Sequence, residues 1–200
     1  MLVLAVAALD PARLPPIDQC ATDRSFVAFR AALQRTIAQR DVAALLKVVA
    51  DDVEASLGGH AGKADFIALW GLQRPRSSKL WSELGSALRI GCTLRAGVAT
   101  APSMADQLSG ERDAFETRIA LPGAVLPKGP SERRPAIASL DWDVLTLDGP
   151  SDGGSWIKVT LDDGRGGYVR DAMARSPIDY RAWFHKRRGH WQMAGFLAGD

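Results

Sequence analysis

Hydrophobic positions in the first half of the chain recur mainly at helical spacing. The clearest stripe has apolar side chains three or four residues apart, namely Phe26, Phe29, Leu33 and Ile37. Three further helices are predicted, and each follows a polar residue that can cap a helix: Asp41, Asp65 and Ser78. A short strand is predicted over residues 53–57, where apolar and polar residues alternate.

The second half of the chain shows the alternation of strands, with glycine-containing turns between them. In Trp156–Leu161 the odd-numbered residues are apolar and predict the buried face of a strand. The closing residues predict a hairpin with strands over 180–186 and 190–197, in which Phe184 and Trp191 face each other. We therefore predict an α+β fold, with a helical or α+β part at the N-terminus and a small all-β part after it.

A series of short motifs in the second half occurs in one order in a known family. The motifs are GAVLPKGPS at 123–131, AIASL at 136–140, VLTL at 144–147, WIKV at 156–159 and DGRGGYV at 163–169. Together they resemble a bacterial Src-homology-3-like domain over residues 121–176. The resemblance implies a small barrel of short strands that binds cell-wall peptide, or another envelope protein, through an aromatic face. The residues that it implies for this groove are Trp156, Tyr168, Arg165 and Trp142.

A weaker resemblance covers the rest of the chain. RDVAALL at 40–46, DDV at 51–53 and GHWQM at 189–193 resemble segments of the nuclear-transport-factor-like α+β superfamily. The resemblance implies that the β module interrupts a discontinuous α+β domain; the alternative is a helical domain followed by one extended β domain. The arrangement is also similar to a family of uncharacterised exported proteobacterial proteins.

These observations divide the chain into four predicted parts. They are an apolar N-terminal segment (1–20), an α+β domain (21–120), the Src-homology-3-like domain (121–176) and a C-terminal hairpin (177–200) that completes the α+β domain in the discontinuous arrangement.

Composition narrows the class of protein. The chain has 200 residues, a formal net charge of +2 and 46% hydrophobic residues, which is ordinary for a globular protein. Proteins that bind nucleic acids concentrate basic residues on one face. A net charge of +2 is too small to indicate such a face, so we predict no nucleic-acid partner.

The N-terminus and the cysteines favour export. Residues 1–9 are all apolar; they are too short for a transmembrane span and are either the remnant of a signal peptide or a short strand. Cys20 and Cys92 either form one disulfide, as in an oxidising compartment, or are two buried thiols. We adopt the exported, periplasmic interpretation.

Candidate catalytic chemistry is sparse. The histidines are His60, His185 and His190, and none lies in a recognised metal-binding or catalytic spacing. We therefore predict no catalytic residue, metal or cofactor, and a non-enzymatic exported binding protein. The alternative is a small-molecule-binding or enzymatic role in a cavity of the α+β domain. That alternative predicts a deep pocket with a polar group such as His60, Asp65 or Glu116, and a filled apolar interior would count against it.

Overall fold

The chain forms two compact units. The computed structural model describes residues 12–108, 112–149 and 153–199, so most of the N-terminal apolar segment lies outside the described residues. The α+β unit consists of Pro16–Gln107 and Ile178–Asp200, and the β unit consists of Leu108–Pro177 together with the segment before Pro16. The predicted α+β class is confirmed at this coarse level.

The α+β unit combines four helices with one mixed sheet. Its helices are α1 (Arg24–Gln39), α2 (Val42–Val48), α3 (Lys63–Leu69) and α4 (Leu80–Arg89). Its strands are β1 (Val49–Glu54), β2 (Thr93–Arg95), β3 (Val98–Ala101), β11 (Arg181–Arg187) and β12 (His190–Leu197), in the sheet order β1-β12-β11-β3-β2. β1 runs parallel to β12, and the other neighbours are antiparallel.

The helix starts follow from local hydrogen bonds. Asp23 caps α1, because its Oδ1 accepts from the backbone nitrogens of Ser25 at 2.7 Å and Phe26 at 3.0 Å. The Ser25 hydroxyl also donates to this carboxylate and, with those N–H groups, lowers the pKa of Asp23. Asp41 accepts from the backbone nitrogen of Ala44, which confirms the predicted cap of α2. The predicted cap at Asp65 is wrong, because α3 begins earlier and Asp65 lies in its first turn.

The C-terminal hairpin belongs to the sheet of the α+β unit. Met193 of β12 pairs with Val49 of β1, so the C-terminal hairpin shares one hydrophobic core with the helices and β1. The fully buried side chains of this core include Phe26, Leu45, Phe66, Leu80, Leu84, Phe184 and Phe196.

The predicted pairing of Phe184 with Trp191 is wrong. Phe184 pairs with Met193 and Trp191 with Lys186, because the hairpin closes at the Arg187–His190 pair and this register continues without interruption to Phe184. The Phe26 ring instead contacts both rings, with centroid distances of 5.5 Å to Phe184 and 5.0 Å to Trp191.

The β unit contains seven strands among its described residues. They are β4 (Thr117–Ala120), β5 (Ala124–Pro127), β6 (Ala136–Leu140), β7 (Val144–Leu147), β8 (Trp156–Leu161), β9 (Gly166–Arg170) and β10 (Ala174–Arg175). One sheet has the order β10-β4-β7-β8-β9, and β5 pairs with β6. The unit begins earlier than the predicted boundary at residue 120, because β4 pairs with β7 rather than with the α+β sheet.

Gly167 allows β5 to approach β9 closely. A Cβ atom built at Gly167 would lie 2.7 Å from the Pro127 carbonyl oxygen and 2.9 Å from Leu126 Cγ. We expect Gly167→Ala to lower the free energy of unfolding by about 1–3 kcal/mol in urea denaturation, because backbone atoms must move. Gly166→Ala is the matched control, since its nearest contact would be 3.6 Å to Thr160 Oγ1. An equal effect of both substitutions would contradict the close approach.

Candidate functional site

One face of the β8–β9 hairpin carries aromatic and basic side chains. Trp156 pairs with Arg170, and Lys158 pairs with Tyr168. Since alternate residues of a strand point to the same face, these four side chains share one face of the hairpin. We call this set the Trp156 face. Lys158 is exposed and the other three residues are half-buried, so aromatic surface remains accessible to a partner.

Arg170 is held against the Trp156 ring. Its guanidinium carbon lies 4.6 Å from the ring centroid, within the range of a cation–π contact. The same guanidinium donates to Glu132 Oε1 at 2.5 Å from Nη2 and at 3.1 Å from Nε. This ion pair orients Arg170 over the indole.

A second ion pair lies at Lys158. Its Nζ is 2.5 Å from Asp148 Oδ2, and the hydrogen bond to that carboxylate raises the pKa of Lys158. The Trp156 face therefore presents its aromatic rings beside paired charges.

The loop between β5 and β6 adds positive charge beside β9. Its Glu132 contacts Arg170, and β5 itself packs against β9 at Gly167. Lys128, Arg133 and Arg134 are exposed in this segment, and none forms an ion pair with any residue in the described ranges. This cluster, which we call the 128–134 cations, favours a partner with carboxylates.

The four predicted groove residues occupy three places. Trp156 and Tyr168 lie on the Trp156 face. Arg165 lies in the β8–β9 turn, at the end of the hairpin away from the Trp156–Arg170 pair, and its Nη2 is 2.7 Å from Asp163 Oδ2. Trp142 lies in the turn between β6 and β7, has a left-handed φ of 62° and is half-buried.

Trp142 has a structural role through its backbone. Its nitrogen donates to the Ala120 carbonyl at 3.0 Å, and its carbonyl accepts from the Leu14 nitrogen at 2.8 Å. These bonds connect the turn to β4 and to the N-terminal segment of the same unit.

Arg170 is the residue that sequence reasoning missed. Its signal was available, because counting back across a three-residue turn at 162–164 places Leu161 opposite Arg165, pairs Thr160 with Gly166 and hence pairs Trp156 with Arg170. The motif DGRGGYV at 163–169 drew attention to Arg165 instead, because it contains Arg165 and ends one residue before Arg170.

The alternative interpretation predicted a pocket with a polar group such as His60, Asp65 or Glu116, and these residues do not meet at one site. His60 is exposed, and its Nδ1 lies 3.4 Å from Asp65 Oδ2 at the surface. Glu116 belongs to the β unit rather than to the α+β unit. The interior of the α+β unit is packed with phenylalanine and leucine side chains. Among the residues that the structure describes, no group of three or more His, Cys, Asp or Glu side chains is placed to hold a metal ion.

Cys20 and Cys92 form a disulfide, which confirms the first of the two interpretations of these cysteines. Both residues are buried. The bond joins the short turn before α1 to the segment that enters β2, and the backbone reinforces it, because Gln19 N donates to Cys92 O at 2.8 Å. The described helices include none that has the length and apolar character needed to cross a bilayer.

Comparisons with known proteins do not assign this chain to a family. No protein-family model and no curated protein matches this chain. A solved structure titled Rd1NTF2_05, with a series of substitutions, is similar over 88% of this chain and 100% of its own length, at 11% sequence identity and a TM-score of 0.29. The chain thus has a distant structural neighbour whose title names the NTF2 type.

Proposed function

We propose that the protein is an exported, non-catalytic binding protein whose β unit is a Src-homology-3-like module for cell-wall peptide. The observation that carries the proposal is the Trp156 face, on which two half-buried aromatic rings lie beside an arginine held over the indole. Aromatic rings and a cation on one strand pair offer a peptide apolar contact together with a charged anchor.

The charges beside this face favour a peptide that carries carboxylates. The 128–134 cations have no acidic partner among the described residues, so an acidic ligand would gain charge-assisted hydrogen bonds there. Cell-wall peptides contain free carboxylates, which fit this requirement. The strand order of the β unit and its short strands support a small barrel module.

The disulfide supports export. Disulfides persist in oxidising compartments and are rare in reducing ones. A wall-binding role requires the protein to be in such a compartment, so the two parts of the proposal agree.

Co-sedimentation with purified peptidoglycan sacculi tests the proposal. We expect saturable binding by the wild-type protein and at least roughly tenfold weaker binding by Trp156→Ala and Arg170→Ala, because truncating an aromatic or arginine anchor at the centre of a contact surface costs about 2 kcal/mol or more. Arg165→Ala is the matched control, since it also removes an arginine paired with a carboxylate on the same hairpin. We expect its binding to stay within about twofold of wild type, and circular dichroism checks that each variant is folded.

Three results would contradict the proposal. Absence of wild-type sedimentation would exclude cell-wall peptide and leave an envelope protein as the partner to seek. Unchanged binding by folded Trp156→Ala would exclude the Trp156 face. Equal loss in Arg165→Ala and Arg170→Ala would indicate general charge attraction.

A further inference from the structure

A cavity of about 590 Å³ lies in the α+β unit, between the end of α3 and the start of α4. This volume is in the range of small-molecule sites. The cavity is lined by Leu69 and Trp70, by polar residues of the 71–79 segment, and by Tyr180 just before β11. It lies outside the filled phenylalanine core.

The aromatic wall of this cavity is backed by the core. The Trp70 ring stacks on Phe196, with centroids 4.8 Å apart and planes 16° apart, and its centroid lies 5.0 Å from that of Tyr180. Phe196 is fully buried, and the Ser78 hydroxyl donates to the Trp70 carbonyl at 2.5 Å. The rings are therefore fixed in place before any ligand arrives, which lowers the entropic cost of binding.

The apolar surface continues on the other side of the same rings. Leu69, Trp70 and Tyr180 also line an adjoining cavity of about 240 Å³. Leu69 is 52% exposed, as a large apolar side chain at the rim of a binding site would be. A flat apolar body can therefore lie against this wall.

The rim of the larger cavity is positively charged. Arg74 and Lys79 line it, and no acidic residue does. Both cations are exposed, and neither forms an ion pair within the described part of the chain. Arg40 adds a third cation nearby, because its Nη1 donates to the carbonyl of Arg76 in the same segment.

We infer that this cavity binds a small organic anion. The planar or apolar body of the ligand lies against Trp70, Tyr180 and Leu69, and its carboxylate or phosphate group is held by Arg74 and Lys79. The inference is independent of the proposed wall binding, because it concerns only residues of the α+β unit.

Fluorescence titration with anilinonaphthalene sulfonate tests the inference, and N-phenylnaphthylamine serves as the uncharged probe with the same rings. We expect wild type to bind the sulfonate at one saturable site. The double variant Arg74→Ala/Lys79→Ala should bind it roughly tenfold or more weakly, because it removes both cations that donate charge-assisted hydrogen bonds to the sulfonate. Binding of the uncharged probe should stay within about twofold.

The matched control is Arg35→Ala/Lys47→Ala, which removes the same charges from exposed positions on α1 and α2. We expect it to bind the sulfonate like wild type. Leu69→Asp should weaken both probes, because it places a carboxylate in the apolar rim. Naphthoate and naphthyl phosphate should displace the sulfonate, and their relative affinities show whether a carboxylate or a phosphate is preferred.

Several results would overturn the inference. They are no saturable binding by wild type, equal weakening in the two double variants, unchanged binding in Leu69→Asp, or no displacement by either naphthyl anion. Each variant is compared with wild type by circular dichroism, so that loss of folding is not mistaken for loss of binding.

Discussion

Replacing both cysteines by alanine is expected to lower the free energy of unfolding by about 4 kcal/mol. Cys20 and Cys92 are 72 residues apart in sequence, so their bond removes a large loop from the freedom of the unfolded chain. In the chain-entropy model this loss of unfolded-state entropy is the main source of stabilisation. Small domains are stable by only about 5–15 kcal/mol, so the change is a large fraction of the total.

Urea denaturation of Cys20→Ala/Cys92→Ala and wild type measures this effect. Wild type unfolded in the presence of a thiol reductant is the control, and its stability should fall close to that of the double variant. A loss below about 1 kcal/mol would contradict the prediction, because it would mean that the unfolded chain is already compact near these residues.

Phe26→Ala is expected to cost about 3–5 kcal/mol. Phe26 is fully buried, and its ring lies within aromatic contact distance of Phe29, Phe184 and Trp191. The substitution removes apolar area and leaves a cavity between α1 and the sheet. Because α1 and the strands hold the neighbouring rings in place, these rings can fill this cavity only in part.

Val27→Ala is the matched control for Phe26→Ala. Val27 is the next residue of α1 and is 40% exposed, so its truncation should change the free energy of unfolding by no more than about 0.5 kcal/mol. Urea denaturation, followed by tryptophan fluorescence, compares the two variants. An equally small change in the free energy of unfolding for Phe26→Ala and Val27→Ala would contradict the prediction, because it would mean that neighbouring side chains fill the Phe26 site completely.

Periodicity alone predicted the elements in which one face is buried. The stripe on α1 predicted a helix there, and Phe26 and Leu33 of that stripe are fully or nearly fully buried. The alternation over Trp156–Leu161 predicted β8 with its inner and outer faces. Both patterns are local, because a helix or strand needs only its own residues to show which side is apolar.

The same reasoning did not predict the short strands β2 and β3. β2 and β3 have three and four residues, which is too few for alternation to be distinguished from a loop. β3 is a strand because β11 supplies hydrogen-bond partners along its edge, and β2 in turn pairs with β3.

The candidate sites also combine residues that local motifs predicted with residues that only the tertiary structure brings together. Local motifs pointed to Trp156, Tyr168 and Arg165, but the hairpin register places Arg170 rather than Arg165 against the indole. Nothing in the sequence around Trp70 pointed to Tyr180, which is more than a hundred residues away in the chain.

What the chain itself determines is therefore the type of its longer elements, their buried faces and the helix cap at Asp41, because these depend on neighbours a few residues away. The tertiary structure determines the pairing of Cys20 with Cys92, the union of β1 with the C-terminal hairpin, and the meeting of Trp70 with Tyr180. These contacts join residues distant in the chain, and they form only when the whole sheet and its core assemble.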